Sequence, residues 1–174
     1  MKILIILLFV SSTFLDSAEN KVENFSIKCS GLFYLMTMPQ DEQWKPFVDN
    51  MSYLSETMSI IASEIYKKKG QALTRGQMLY KRDVEADKII VMYKKDIQST
   101  LNLYAKCDKF RENFALIGFR NPNSDEAILD KLRIPSVYSM DTQKSEIISM
   151  ILNISFDTLD SLGITSIVEL RNIR

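Results

Sequence analysis

The chain contains no histidine. That removes the commonest general base, the commonest metal ligand and every nucleophile that relies on an imidazole partner. It has two cysteines, Cys29 and Cys107, too few for a structural zinc set. Neither the GxGxxG pattern nor the GxxxxGK(S/T) pattern occurs, so dinucleotide and P-loop fingerprints are missing. No acidic, glycine-containing loop of the calcium-binding kind is present. The sequence therefore predicts no catalytic residue, no cofactor and no metal. Five glycines and four prolines are few for 174 residues. So few turn formers, with many Met, Leu, Ile, Lys and Glu, favour helices joined by few connections.

What is present is ordinary for a globular chain: 46% hydrophobic and 25% charged residues. The length suits one domain. Lys2, the apolar run Ile3 to Val10 and the more polar stretch Ser11 to Ala18 have the pattern of a secretory signal. Residues 1–18 are read as that signal, with cleavage after Ser17 or Ala18. As a helix, Ile3 to Leu15 is too short for the roughly 30 Å of a bilayer's hydrocarbon core. No later stretch is apolar enough to span, so the exported chain is expected to be soluble, in the periplasm or outside the cell. In such a compartment Cys29 and Cys107 are most simply one disulfide.

Residues 19–118 read as a three-helix unit. Val22, Phe25, Cys29, Leu32 and Met36 are spaced 3, 4, 3, 4 and share one helical face. Gly31 weakens that helix but permits close approach of a neighbour. Pro39 stops it. A second segment, from about Glu42 or Lys45 to Lys69, carries Trp44, Phe47, Met51, Leu54, Met58, Ile61 and Ile65 at heptad-like spacing. Such a stripe fits the core seam of a bundle or a seam between chains; the bundle is favoured. Asp41 and Pro46 suit its start, Gly70 its end.

The third segment runs from Thr74 to about Ile117, with Ala86, Ile90, Tyr93, Ile97, Leu101, Tyr104, Cys107, Phe110 and Phe114 on its stripe. About forty helical residues would span roughly 60 Å, so a bend or break is expected, near Cys107 to Asn113. With two short connections, the first and third segments should run parallel, side by side, which would let Cys29 meet Cys107.

Residues 119–174 read as a smaller helical C-terminal part of the same domain. It should hold a short helix from Ser124 to Arg133. A longer one should carry Ile148, Ile151, Leu152, Phe156, Leu159 and Leu162 inward and end at Gly163. Residues 147–156 are β-branched enough to compete as a strand. A last helix should be capped by Ser166 with Glu169 at capping-box spacing. Leu162 to Arg171 resembles the opening strand of dual-specificity phosphatases, and also half of a helix-hairpin-helix. The phosphatase resemblance implies a later Cys-x5-Arg loop, and no cysteine follows Cys107.

Net charge is zero but unevenly placed: −4 over residues 19–65, +7 over 66–111 and −3 over 112–174. A basic helix packed beside acidic ones accounts for this. Nucleic acid is not expected as a partner, because acids dilute the cations and no recognition motif accompanies them. Glu56 and Glu64 are the candidates for chemistry by carboxylates alone, though two turns apart on a solvated helix. Asp83, Glu85 and Asp87, set among Lys81, Arg82 and Lys88, read as salt-bridged helix surface. Asn24, Asn50 and Asn153 begin N-x-S sequons.

The expected function is that of an exported, non-enzymatic binding or accessory module. An unidentified protein partner would meet Met-rich helical faces suited to adaptable contact. The alternatives are a carboxylate-only enzyme acting on glycans and a protein that self-associates through the Phe47–Ile65 seam.

Overall fold

The computed structural model describes residues 22–39, 41–120 and 142–172, with side chains at 22–39, 41–112 and 145–171. The expected signal, 1–18, and the expected helix at Ser124 to Arg133 lie outside the described residues. The fold is mainly helical, and no strand occurs among the described residues. Helix α1 covers residues 22–35. A 3-10 turn, Glu42–Trp44, leads into α2, Lys45–Lys68. Helices α3, Arg75–Lys95, and α4, Ile97–Arg120, follow, then α5, Thr142–Ser161, and the short α6, Ile167–Asn172.

Local chemistry sets most of these ends. Pro46 sits in the first turn of α2, where its missing N–H has no helical partner to lose. Asp41, expected as the cap there, makes no side-chain capping bond. Gly70 takes a φ of +72°. Around it Gln71 N–H donates to the Tyr66 carbonyl and Gly70 N–H to the Lys67 carbonyl, the two bonds of a Schellman cap. Gly163 closes α5 in the same way, with a φ of +66° and paired bonds to the Leu159 and Asp160 carbonyls. Thr74 and Gln77 form a full capping box at the start of α3.

The sequence expectation fails at the third segment. The helical pattern of residues 74–117 is cut at Asp96, which is extended (φ −162°, ψ 104°), not near Cys107 to Asn113. Asp96 ends α3 through its own N–H, donated to the Met92 carbonyl at 2.9 Å. Its carboxylate then caps α4, accepting from Gln98 N–H at 3.0 Å and from the Ser99 N–H and hydroxyl at 3.2 and 2.6 Å. The Ser99 hydroxyl first, then the Gln98 N–H, hold Asp96 below the usual carboxylate range.

The break reverses the chain. Phe25 packs edge-on against Phe110, Cys29 is bonded to Cys107, and Phe33 packs edge-on against Tyr104. As α1 numbers rise, α4 numbers fall, so the two helices are antiparallel, not parallel as expected. Both halves of the old third segment reach the same stretch of α1. Ala86 in α3 lies against Gly31, and Cys107 in α4 is bonded to Cys29. In one straight helix Ala86 and Cys107 would stand about 30 Å apart. The disulfide thus staples α1 to α4, with Cα atoms 5.4 Å apart.

Gly31 is where α1 and α3 come closest. A Cβ there would stand 2.9 Å from the Ala86 amide nitrogen and 3.0 Å from the Arg82 carbonyl oxygen. Helices α1 and α2 run antiparallel, from Glu23–Lys69 at one end to Ser30–Ser55 at the other. Hydroxyls join them. Ser26 Oγ donates to the Met58 carbonyl at 2.7 Å and Ser30 Oγ to the Ser55 carbonyl at 2.7 Å, while Ser55 Oγ returns a bond to the Ser30 carbonyl at 2.9 Å. All three serines are buried, and satisfying these hydroxyls offsets the cost of burying them.

The heptad-like stripe of α2 is the chain's own core. Phe47, Met51, Leu54, Met58 and Ile61 join Cys29, Leu32, Phe33 and Cys107 in one cluster. Residues 147–156 are helical, and Ile148, Ile151, Leu152, Phe156 and Leu159 close the core from α5. Leu162, expected inward, is 64% exposed because the Gly163 cap turns the chain beside it. Tyr93 stacks on Phe156 at 3.7 Å between centroids, tying α5 to α3. The stretch resembling a phosphatase strand is the α5 cap followed by α6.

Candidate functional site

Helices α2 and α3 part beyond their connection, and α1 closes the gap beneath them. The cleft left there has a volume of about 470 Å³, within the ~300–1,000 Å³ of small-molecule sites. A shallower depression between α1, α3 and α4 involves Phe25, Lys28, Glu85 and Phe110.

The α2 wall is a row of small hydroxyls. Ser52, Ser55, Ser59 and Ser63, with Glu56 among them, line the cleft. Their spacing of 3, 4, 4 puts them on one helical stripe beside the apolar seam. Ser55 and Ser59 also take part in the α1 seam: Ser30 Oγ, having donated to the Ser55 carbonyl, accepts from Ser59 Oγ at 2.7 Å. Ser59 keeps acceptor capacity toward the cleft. The Ser52 and Ser63 hydroxyls make no hydrogen bond among the described residues. From below, α1 contributes Tyr34, and the turn that follows it Thr37. The Thr37 hydroxyl donates to the Tyr34 carbonyl at 2.7 Å.

The α3 wall is cationic and apolar. Arg75, Leu79 and Arg82 fall at helical spacing with Met78 beside them, and Leu73 comes from the connection. Arg75 is exposed in the first turn of α3 and has no ion-pair partner among the described residues. Arg82 is fixed. Its guanidinium lies 3.7 Å from the Tyr34 ring centroid, and its Nε and Nη2 donate to Asp83 Oδ1 at 3.0 and 2.9 Å. Arg171 Nε holds the other oxygen, Asp83 Oδ2, at 2.8 Å. One carboxylate therefore serves two guanidiniums. Burial, the largest influence, pushes Asp83 above the usual carboxylate range against the pull of both arginines.

This corrects the reading of 83–87 as helix surface. Glu85 does pair with Lys88 at the surface. Asp83, however, is 1% exposed. Asp87 caps α6, accepting from the Ser166 hydroxyl and the Ile167 N–H. The Ser166 hydroxyl in turn accepts from Glu169 N–H at 3.2 Å, the expected cap. The acids of α3 thus hold the C-terminal helix in place.

The other sequence candidates fall as follows. Cys29 and Cys107 are joined and fully buried, hence structural. Glu56 lines the cleft, whereas Glu64 lies 4.0 Å from Lys67 on the outer surface and does not line it. The methionines expected to offer contact surface are mostly core: Met36, Met51, Met58 and Met78 are buried. In the sequons, the Asn24 side chain accepts from the Tyr66 hydroxyl and the Asn153 side chain from the Tyr93 hydroxyl. No helix among the described residues is long and apolar enough to cross a membrane. No group of three or more potential metal ligands occurs among them.

Sequence reasoning missed Arg75, Arg82, Tyr34 and the serine row. The row had a signal, four serines at helical spacing beside a heptad-like stripe. Arg82 and Tyr34 had none, being 48 positions apart in the sequence. No family model, curated protein or solved structure matches the chain.

Proposed function

We propose that the chain is an exported, non-enzymatic binding protein that takes a small molecule in the cleft between α1, α2 and α3. The observation that carries this reading is the pairing of a rigid wall with unsatisfied groups. Arg82 is held by Tyr34 and Asp83, while Arg75, Ser52 and Ser63 face the same space without partners among the described residues. Convergent polar groups beside an apolar patch are the usual make-up of a ligand site. The expected signal at 1–18 and the Cys29–Cys107 disulfide, which suits an oxidising compartment, support export.

Two measurements test the reading. Expressed with its first residues in a secreting host, the chain should leave the cytosol and lose about 18 residues. Retention inside the cell at full mass would overturn export. For binding, isotope-labelled protein is titrated with a mixed set of small neutral, anionic and cationic metabolites. At least one should move the amides of Ser59, Ser63 and Leu79 together and saturably. If none of the set moves them, the cleft is not a binding site.

A further inference from the structure

The charges around the cleft narrow the ligand, given that the cleft is the binding site. Arg75, Arg82 and Arg171 bring three positive charges, and Asp83 and Glu56 bring two negative ones. Asp87 is engaged at the amide end of α6. About one positive charge is left over, and Arg75 lies on the cleft side with no counter-ion among the described residues. A single excess positive charge suits a monoanion. A dianion would face Glu56 with one charge unmatched.

Arg82 points the same way. Its Nε and one Nη2 hydrogen are committed to Asp83 Oδ1, which leaves Nη1 free to donate. A guanidinium fork matches a planar carboxylate. Along the opposite wall, Ser52 and Ser63 offer hydroxyls that both donate and accept, and Ser59, whose hydrogen goes to Ser30, offers an acceptor. They complement hydroxyls on a ligand better than they complement a bare anion. Ile60, Leu73 and Leu79 give the C–H face of such a ligand an apolar bed.

We infer that the cleft binds a small hydroxylated monocarboxylate of the sugar-acid class, its carboxylate at Arg75 and Arg82 and its hydroxyls along the serine row of α2. Phosphate and neutral sugars share parts of this chemistry and serve as comparisons.

Glucuronate, glucose, acetate and inorganic phosphate are titrated separately into the labelled, oxidised protein. Glucuronate should shift the Ser59, Ser63 and Leu79 amides saturably. Glucose, lacking the carboxylate, and acetate, lacking the hydroxyls, should each bind at least about tenfold more weakly, the size of one lost charge-assisted hydrogen bond. Arg75→Gln, at an exposed position, should weaken glucuronate about tenfold and leave glucose unchanged, with an otherwise intact amide spectrum. Ser63→Ala should weaken glucuronate and leave acetate unchanged. Glucose, acetate or phosphate binding as tightly as glucuronate overturns the assignment, as does an unaltered affinity in Arg75→Gln. The mixed metabolite set separates the two levels. If another member moves the cleft amides while glucuronate does not, the sugar-acid class fails and the binding reading stands. If nothing moves them, both fail.

Discussion

Replacing Gly31 by alanine sets two effects of opposite sign against each other. Gly31 lies inside α1, where helix propensity alone favours alanine by about 1 kcal/mol. Packing opposes it. The added Cβ would meet the Ala86 nitrogen at 2.9 Å, the Arg82 carbonyl oxygen at 3.0 Å and the Glu85 carbonyl carbon at 3.3 Å. All three are backbone atoms, so no side chain can rotate away and α1 must move off α3 as a unit. Two residues back, Cys29 is bonded to α4 and restrains that movement. Overpacking of a tight core typically costs about 1–3 kcal/mol, and a clash against backbone belongs at the upper end. After the propensity gain, Gly31→Ala should lose about 2 kcal/mol, or roughly 4–8 °C in Tm for a domain of this size. Urea unfolding followed by circular dichroism measures it. Gly76→Ala is the control: it is helical, but an added Cβ meets nothing within 4 Å. It should stabilise by up to about 1 kcal/mol. If Gly31→Ala proves as stable as the native chain, the close approach of α1 and α3 is refuted.

Further outcomes follow from the same geometry. Replacing both Cys29 and Cys107 by alanine opens a loop whose ends lie 78 positions apart, and chain entropy then predicts a loss of about 4–5 kcal/mol; a loss under about 1 kcal/mol in urea would contradict a staple. Peptide mapping without reduction should recover the two cysteines in one linked pair. Asp96 is held below its ordinary range, so its stabilising contribution is present above its unfolded value and fades as pH falls through the lower folded value. The protection factors of amides 97–100, which divide out the intrinsic pH dependence of exchange, should therefore fall on acidification in the native chain, and Asp96→Asn should remove that pH step. Asp87→Ala takes away the cap of α6; exchange at 167–171 should quicken while α2 is unchanged, and an unaltered α6 would show that Arg171–Asp83 holds it alone.

Much of the fold was legible because helices advertise themselves by period. The spacing of Phe47, Met51, Leu54, Met58 and Ile61 marked one face of α2, and that face is buried. Cys29 and Cys107 each lay on such a stripe, and both are fully buried and joined. Gly70, Gly163 and Ser166 act locally, within a few residues of themselves, so the sequence could assign them as caps. The reversal at Asp96 was less legible. A stripe at intervals of three and four continues unchanged whether the helix goes on or folds back. The one local sign was an aspartate three places before Ser99, a pair that favours caps over helix interiors.

The sequence alone determined the helical class, most of the inward faces and the absence of imidazole chemistry, because these depend on composition and on contacts a few residues apart. Only the tertiary structure decided that α4 runs antiparallel to α1, and that Asp83 is buried between Arg82 and Arg171. It also decided that a serine row on α2 faces Arg75 and Arg82 across a floor containing Tyr34. Those pairings join residues tens of positions apart. Their distances are fixed by where the chain turns and how closely glycine and serine let helices approach, which no periodicity encodes.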